Sequence, residues 1–181
     1  IADKLYMKMH NMTIKTEILR GHQIQIDEHC YYVDTEYITY PIPYVNTICF
    51  VDAFVYYYRL GREGQSVGMD KMQKNEQNYD KVLASLLHFY QQLGRELPCT
   101  QAKKQYIARL IARVIAGKFK IMLSFPPSAE KKQQIKQYDK HLKTQYRDIY
   151  DSNINKAVSL LRKTQYHTYY LVNLMVRSMC R

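Results

Sequence analysis

The 181-residue chain has no C-x-x-C pair and no histidine at zinc-ligand spacing from a cysteine, which argues against a structural zinc site. Its four cysteines, Cys30, Cys49, Cys99 and Cys180, lie far apart within apolar patterns. Thiols scattered in this way favour reduced core residues over a disulfide framework. The G-x-x-x-x-G-K pattern is missing, so a P-loop is excluded. The longest apolar-looking run, Pro41 to Tyr58, carries Asn46 and Asp52 and falls short of the roughly 20 residues a spanning helix needs. No charged segment followed by an apolar run marks a signal peptide. The expectation is a cytoplasmic protein.

What remains is a globular composition with 46% hydrophobic and 24% charged residues, enough to bury a core. The net charge of +11 is unevenly spread. Residues 1–68 carry 6 Lys/Arg against 8 Asp/Glu, whereas residues 69–181 carry 21 against 8. Such asymmetry predicts two parts with different partners: a near-neutral part at 1–68 and a basic helical region at 69–181.

The expected fold class is α+β, mostly α. Thr16 to Gly21 reads as a short helix with Thr16 as cap and Gly21 as stop. Ile24 and Ile26 alternate with glutamines as in a strand. A helix opens at Asp34 and is stopped by Pro41 and Pro43. Thr47–Asp52 reads as a buried strand and Val55–Arg59 as a second, followed by a loop at Gly61–Gly64. From Met69 the apolar period becomes helical, and four helices are expected. The first spans Asp70–Leu93, the second starts at Pro98 or Thr100, and the third follows Pro126-Pro127-Ser128. The fourth is capped by Asp151 or Ser152 and becomes apolar nearly all round at Tyr169–Val176.

Chemistry concentrates between Asp27 and Gly68. Asp34 stands at the mouth of an apolar segment, where desolvation raises a carboxyl pKa toward the range of a general base. The same position suits a helix cap. Asp34 and Glu36 have metal-like spacing but no third oxygen source nearby. Arg59, Arg62 and Ser66 occupy a Gly-containing loop after a strand, a set of donors suited to a diphosphate; a loop with solvent-facing arginines fits the same residues.

In order, YVDTEY, NTICFVD and VYYYRLGREGQSVG resemble the acceptor side of bacterial family 2 glycosyltransferases of the GT-A fold. The resemblance covers residues 5–90 and is most specific through 27–68. It implies short strands of an incomplete GT-A domain at 1–68, followed by a C-terminal helical bundle. It implies that Asp34 is the catalytic base of an inverting sugar transfer, although Val33 stands where the family usually has glutamate. Arg59, Arg62 and Ser66 match the loop that closes on the donor diphosphate, and His10 and Glu36 are candidates for the acceptor cleft. The family's nucleotide-binding half, with an Asp-x-Asp that holds Mg²⁺ or Mn²⁺, is not found in these residues. The resemblance therefore implies a fragment, inactive alone, that works with a nucleotide-sugar donor, a metal and a saccharide or lipid-linked acceptor.

The basic region leaves three readings open: a solvated helical face, attachment to an anionic membrane surface, and nucleic-acid binding. The last has no zinc, Gly-rich or helix-turn-helix signature beside it and is set aside. A non-catalytic interaction domain is the rival to the enzyme, placed peripherally at the inner face of the plasma membrane. Residues that would pack on an absent sheet predict exposed apolar surface, or its burial in a homo-oligomer.

Overall fold

The structure, a computed structural model, describes residues 7–59, 65–66 and 68–179, and these are mostly helical. The chain begins with a 3₁₀ turn at Met9–Asn11 and helix α1 (Thr16–Gly21), whose cap position is Lys15 rather than Thr16. Helix α2 (Asp34–Thr39) opens at Asp34, with Val33 at the cap position. It ends just before Pro41, which lacks an N–H and enters a second 3₁₀ turn at Ile42–Tyr44.

The predicted helix at 70–93 is two helices. α3 (Met69–Lys74) and α4 (Glu76–Gln92) meet at Asn75, whose φ of −103° and ψ of 24° interrupt the helical path. Thr100 caps α5 (Gln101–Ser124), its side chain accepting from the Lys103 N–H. Ser128 caps α6 (Ala129–Gln145) in the same way through the Lys131 N–H. Both caps fill orphan donors of a first helical turn. The remainder departs from a single capped helix. Asp151 ends α7 (Arg147–Asp151), and it is Asn155 that caps α8 (Lys156–Lys163), accepting from Val158. Left-handed backbone at Gln165 (φ 49°) and Tyr166 (φ 67°) then separates α8 from α9 (Tyr169–Met179).

α5 is the axis of the bundle, touching α2, α3, α4, α6, α7 and α9. Its Ile107, Ile111 and Phe119 are buried with Leu86 of α4, Ile135 and Leu142 of α6, and Leu161 of α8. Two polar side chains inside this core are paired as burial favours, while the Tyr166 and Tyr169 hydroxyls and Asn173 Oδ1 are buried without a hydrogen-bond partner. Lys118 of α5 reaches Glu76 at 2.8 Å and Asp80 at 2.5 Å on α4. Asn173 of α9 donates to the carbonyls of Leu123 and Phe125, answering the C-terminal end of α5. The 7–68 part leans on one edge of the core through Cys30, Tyr32, Val33, Tyr40 and Ile42.

The expected strands are where sequence and structure differ. Apart from an isolated bridge between Leu93 and Leu97, there is no β-pairing among the described residues. Thr47–Asp52 and Val55–Arg59 run without partners and are exposed, with Val51 at 74% and Tyr57 at 85%. Ile24–Ile26 likewise forms no strand. β-branched and aromatic residues favour a pleated surface only when a neighbouring ladder and a covering layer supply the energy. The loop at Gly61–Gly64, with Arg62, lies outside the described residues, as does Cys180. Among the described residues Cys30, Cys49 and Cys99 are free thiols, and no helix is long and apolar enough to cross a membrane.

Candidate functional site

Tyr32 organises the candidate site. Its backbone is left-handed (φ 73°), a conformation a bulky residue adopts only when its surroundings enforce it. Three contacts do so. The Thr35 hydroxyl donates to the Tyr32 carbonyl at 2.9 Å, and the ring tilts against Tyr79 with centroids 5.1 Å apart. The phenol donates to the Ser66 carbonyl at 3.1 Å. The turn made at Tyr32 starts α2, and the phenol bond ties that start to the 65–68 loop.

Asp34 is the first residue of α2, and its side chain is exposed. Partial desolvation by the surrounding protein nevertheless pushes its pKa above the ordinary carboxylate range, opposed by its own N–H, the Thr35 N–H and the charge of His10. The Met9–Asn11 turn that carries His10 packs against α2. The His10 ring stacks on Tyr56 (4.6 Å, 26°) and on Tyr58 (5.2 Å, 25°), and Lys8 Nζ lies 5.9 Å from the Tyr58 ring. A carboxyl of raised pKa beside exposed aromatic faces can take a proton from a hydroxyl held against those faces.

Glu36 does not join Asp34. Two positions along a helix point to different sides, and Glu36 is 0% exposed. Its Oε2 accepts the Asp27 N–H at 2.8 Å, and Asp27 is also bound by Ser85 Oγ and Lys81 Nζ. Burial first, then the nearby Asp27 carboxyl, raises the Glu36 pKa. Glu36 therefore anchors α2 to the segment before it rather than lining an open cleft. A group whose folded pKa is raised adds stability below its unfolded pKa and loses that contribution as pH rises through the folded value. Glu36→Gln keeps an acceptor for the Asp27 N–H and removes this dependence, so its stability relative to the parent should improve as pH rises. Glu36→Ala strands a polar N–H and is expected to cost about 1–3 kcal/mol. Urea titrations of both variants across the acid-to-neutral range check the pair.

Ser66 lines a pocket of about 170 Å³ with Tyr31, Lys71, Lys74 and Asn75. Two ammonium groups and a hydroxyl around a small polar recess suit a phosphate oxygen. Arg59 is exposed, and its carbonyl accepts from Gln65 Nε2 at 2.6 Å. Arg62 lies outside the described residues. Lys71 and Lys74, three apart on α3 directly after the loop, were legible as one-faced neighbours. The stacking of Tyr56 and Tyr58 on His10 had no signal beyond the run of tyrosines.

Among the described residues no group of three His, Cys, Asp or Glu side chains could hold a metal ion. With Glu36 turned into the core, the Asp34/Glu36 pair does not fit a divalent cation, and no metal-dependent step is assigned to these residues. Comparison of the chain with protein-family models, curated proteins and solved structures finds no match.

Proposed function

We propose that this chain is the acceptor-side portion of an inverting glycosyltransferase. In this reading it acts with a nucleotide-sugar donor on a saccharide or lipid-linked acceptor. The observation that carries the reading is the meeting of Asp34, with its raised pKa, and the His10–Tyr56–Tyr58 stack at the start of α2. The acceptor ring lies against the tyrosine faces, its C–H surface packed on the aromatic carbons. Asp34 removes the proton from the acceptor hydroxyl as that oxygen bonds to the anomeric carbon. The bond from the anomeric carbon to the diphosphate breaks, and the nucleoside diphosphate leaves with the electron pair, inverting the configuration. Ser66, Lys71 and Lys74 face the leaving phosphates.

The exposed runs at 47–52 and 55–59 become strands of the GT-A sheet once the donor-binding half supplies their neighbours. That half, with the ligands for Mg²⁺ or Mn²⁺, comes from sequence other than these residues. The near-neutral acceptor part and its aromatic stack should bind saccharide without a donor. NMR titration of the chain with glucose, galactose, N-acetylglucosamine and their β-linked disaccharides tests this. Millimolar binding that perturbs His10, Tyr56 and Tyr58 is expected, and Tyr58→Ala should weaken it roughly two- to tenfold, the range of one aromatic stack. No response from any saccharide, or an unchanged response in Tyr58→Ala, removes the acceptor reading.

A further inference from the structure

The last helix carries a feature that glycosyl transfer does not use. α9 buries Tyr169, Val172 and Asn173 against the core, while its other side stays apolar and open to solvent. Tyr170 and Leu171 are half exposed, Leu174 is 65% exposed and Met179 84%. Leu171, Met175 and Met179 follow one another at four-residue spacing and so form one ridge. That ridge leads into a cavity of about 660 Å³, because Met179 is also part of the cavity wall.

The cavity floor is α5, through Ala112, Ala116, Phe119 and Leu123, and α9 closes one side with Val176 and Met179. The volume falls in the range of small-molecule pockets, and the lining is mostly hydrocarbon. Arg113, Lys120 and Lys156 stand in its wall, and none of its lining residues is an aspartate or glutamate. At the other end of α9, Lys132 Nζ lies 5.9 Å from the Tyr170 ring. The apolar ridge is therefore bracketed by cations at both ends.

We propose that this surface docks on a bilayer containing anionic phospholipid. The α9 ridge enters the headgroup–acyl boundary, the cavity takes part of one acyl chain, and Lys120 and Lys156 hold lipid phosphate. An apolar helix face flanked by lysines is the pattern that partitions to such an interface. A soluble partner would need a complementary acidic face as well as an apolar one; a bilayer of anionic lipid presents both in one surface. The excess of 21 Lys/Arg over 8 Asp/Glu in residues 69–181 adds a long-range attraction of the same sign. The surface shares no residue with the Asp34 site, so it stands or falls separately from the sugar-transfer reading.

Co-sedimentation of the whole chain with vesicles tests it. The chain should pellet with vesicles of phosphatidylglycerol and phosphatidylcholine, should stay in solution with phosphatidylcholine alone, and should be released by high salt. Lys120→Gln with Lys156→Gln should reduce partitioning on the order of twentyfold. Leu171→Ser with Met175→Ser should abolish it while the circular dichroism spectrum stays helical; both pairs of side chains are exposed, so the fold does not depend on them. Equal pelleting with neutral and anionic vesicles, or partitioning unaffected by both pairs, overturns the proposal. So does a dimer in analytical ultracentrifugation that the Leu171/Met175 pair dissolves without changing vesicle binding, since a second copy would then own the ridge.

Discussion

On the sugar-transfer reading proposed above, Asp34→Asn in a protein carrying both donor and acceptor halves should lower transfer by about 10²–10⁴-fold, the usual contribution of a positioned general base. Donor binding should be almost unchanged, because the lost interaction belongs to the transition state. Asn keeps the shape of the side chain and an oxygen for the N–H groups of Asp34 and Thr35. Misfolding is not the expected cause of the loss. Asp34 has a raised folded pKa, so its contribution to stability is present below the unfolded pKa and lost as pH rises through the folded one. An uncharged amide at this position should then fold at least as well at neutral pH. The parent should show an ascending limb in kcat/KM above the ordinary carboxylate range, and the variant should lack it. His10 charge opposes the raised pKa, so His10→Phe should move that limb to higher pH. Single-turnover transfer and donor titration of the same samples separate the effects; unaltered turnover in Asp34→Asn places the base elsewhere.

Helix ends governed by one residue were legible in part: Thr16 and Asp151 or Ser152 were expected as caps, but Lys15 and Asn155 hold those positions. Thr100 and Ser128 accept from the third N–H of their helices, as their side chains allow. Pro41 stops α2 for reasons internal to proline. Tertiary effects were not legible. Met72 and Tyr79 continue the apolar stripe on either side of Asn75, so periodicity joined two helices that the backbone separates. The runs around Val51 and Val55 have strand chemistry, but a strand needs a neighbour, and composition does not reveal whether one is present. At the candidate site, the aspartate was legible by its setting between an apolar segment and a helix. The left-handed Tyr32 that presents it was not, because nothing local in the sequence asks a tyrosine to adopt φ 73°.

The basic character of 69–181 is also less uniform than a charge count implies. Lys103 Nζ donates to the Pro43 carbonyl at 2.7 Å, and Lys104 Nζ to that of Leu93 at 3.2 Å, stitching the first turn of α5 to two segments that precede it. Lys118 is buried between two carboxylates. These cations hold the fold, whereas Lys120 and Lys156, the two that the bilayer proposal uses, are exposed. Charge alone could not make that division, since it depends on which side of each helix meets a neighbour.

Arg162 is an internal cation of the C-terminal half. Its guanidinium donates from Nε and Nη2 to Asp139 Oδ1 at 3.0 and 2.8 Å, and from Nη1 to the Tyr150 carbonyl at 2.8 Å. Its Cζ lies 3.6 Å from the centre of the Tyr150 ring. One side chain thus joins α6, α7 and α8, and both members of the pair are enclosed, at 14% and 7% side-chain exposure. Arg162→Ala leaves the Asp139 carboxylate in that enclosure with no cation and is expected to cost about 3–5 kcal/mol. Against a domain stability of roughly 5–15 kcal/mol the loss is a large share, and at the low end of that range it unfolds much of the population. Arg162→Lys should fall between, retaining charge but losing the fork and the flat stack on Tyr150. The double change Arg162→Met with Asp139→Leu should recover most of the stability, because the desolvation of both charges disappears along with their attraction. Urea denaturation of the four proteins checks this ordering. A single Arg162→Ala that unfolds at the parental midpoint would show that the pair contributes no net stability, and the joint of α6, α7 and α8 would then rest on apolar packing through Leu142, Ile149, Val158 and Leu161.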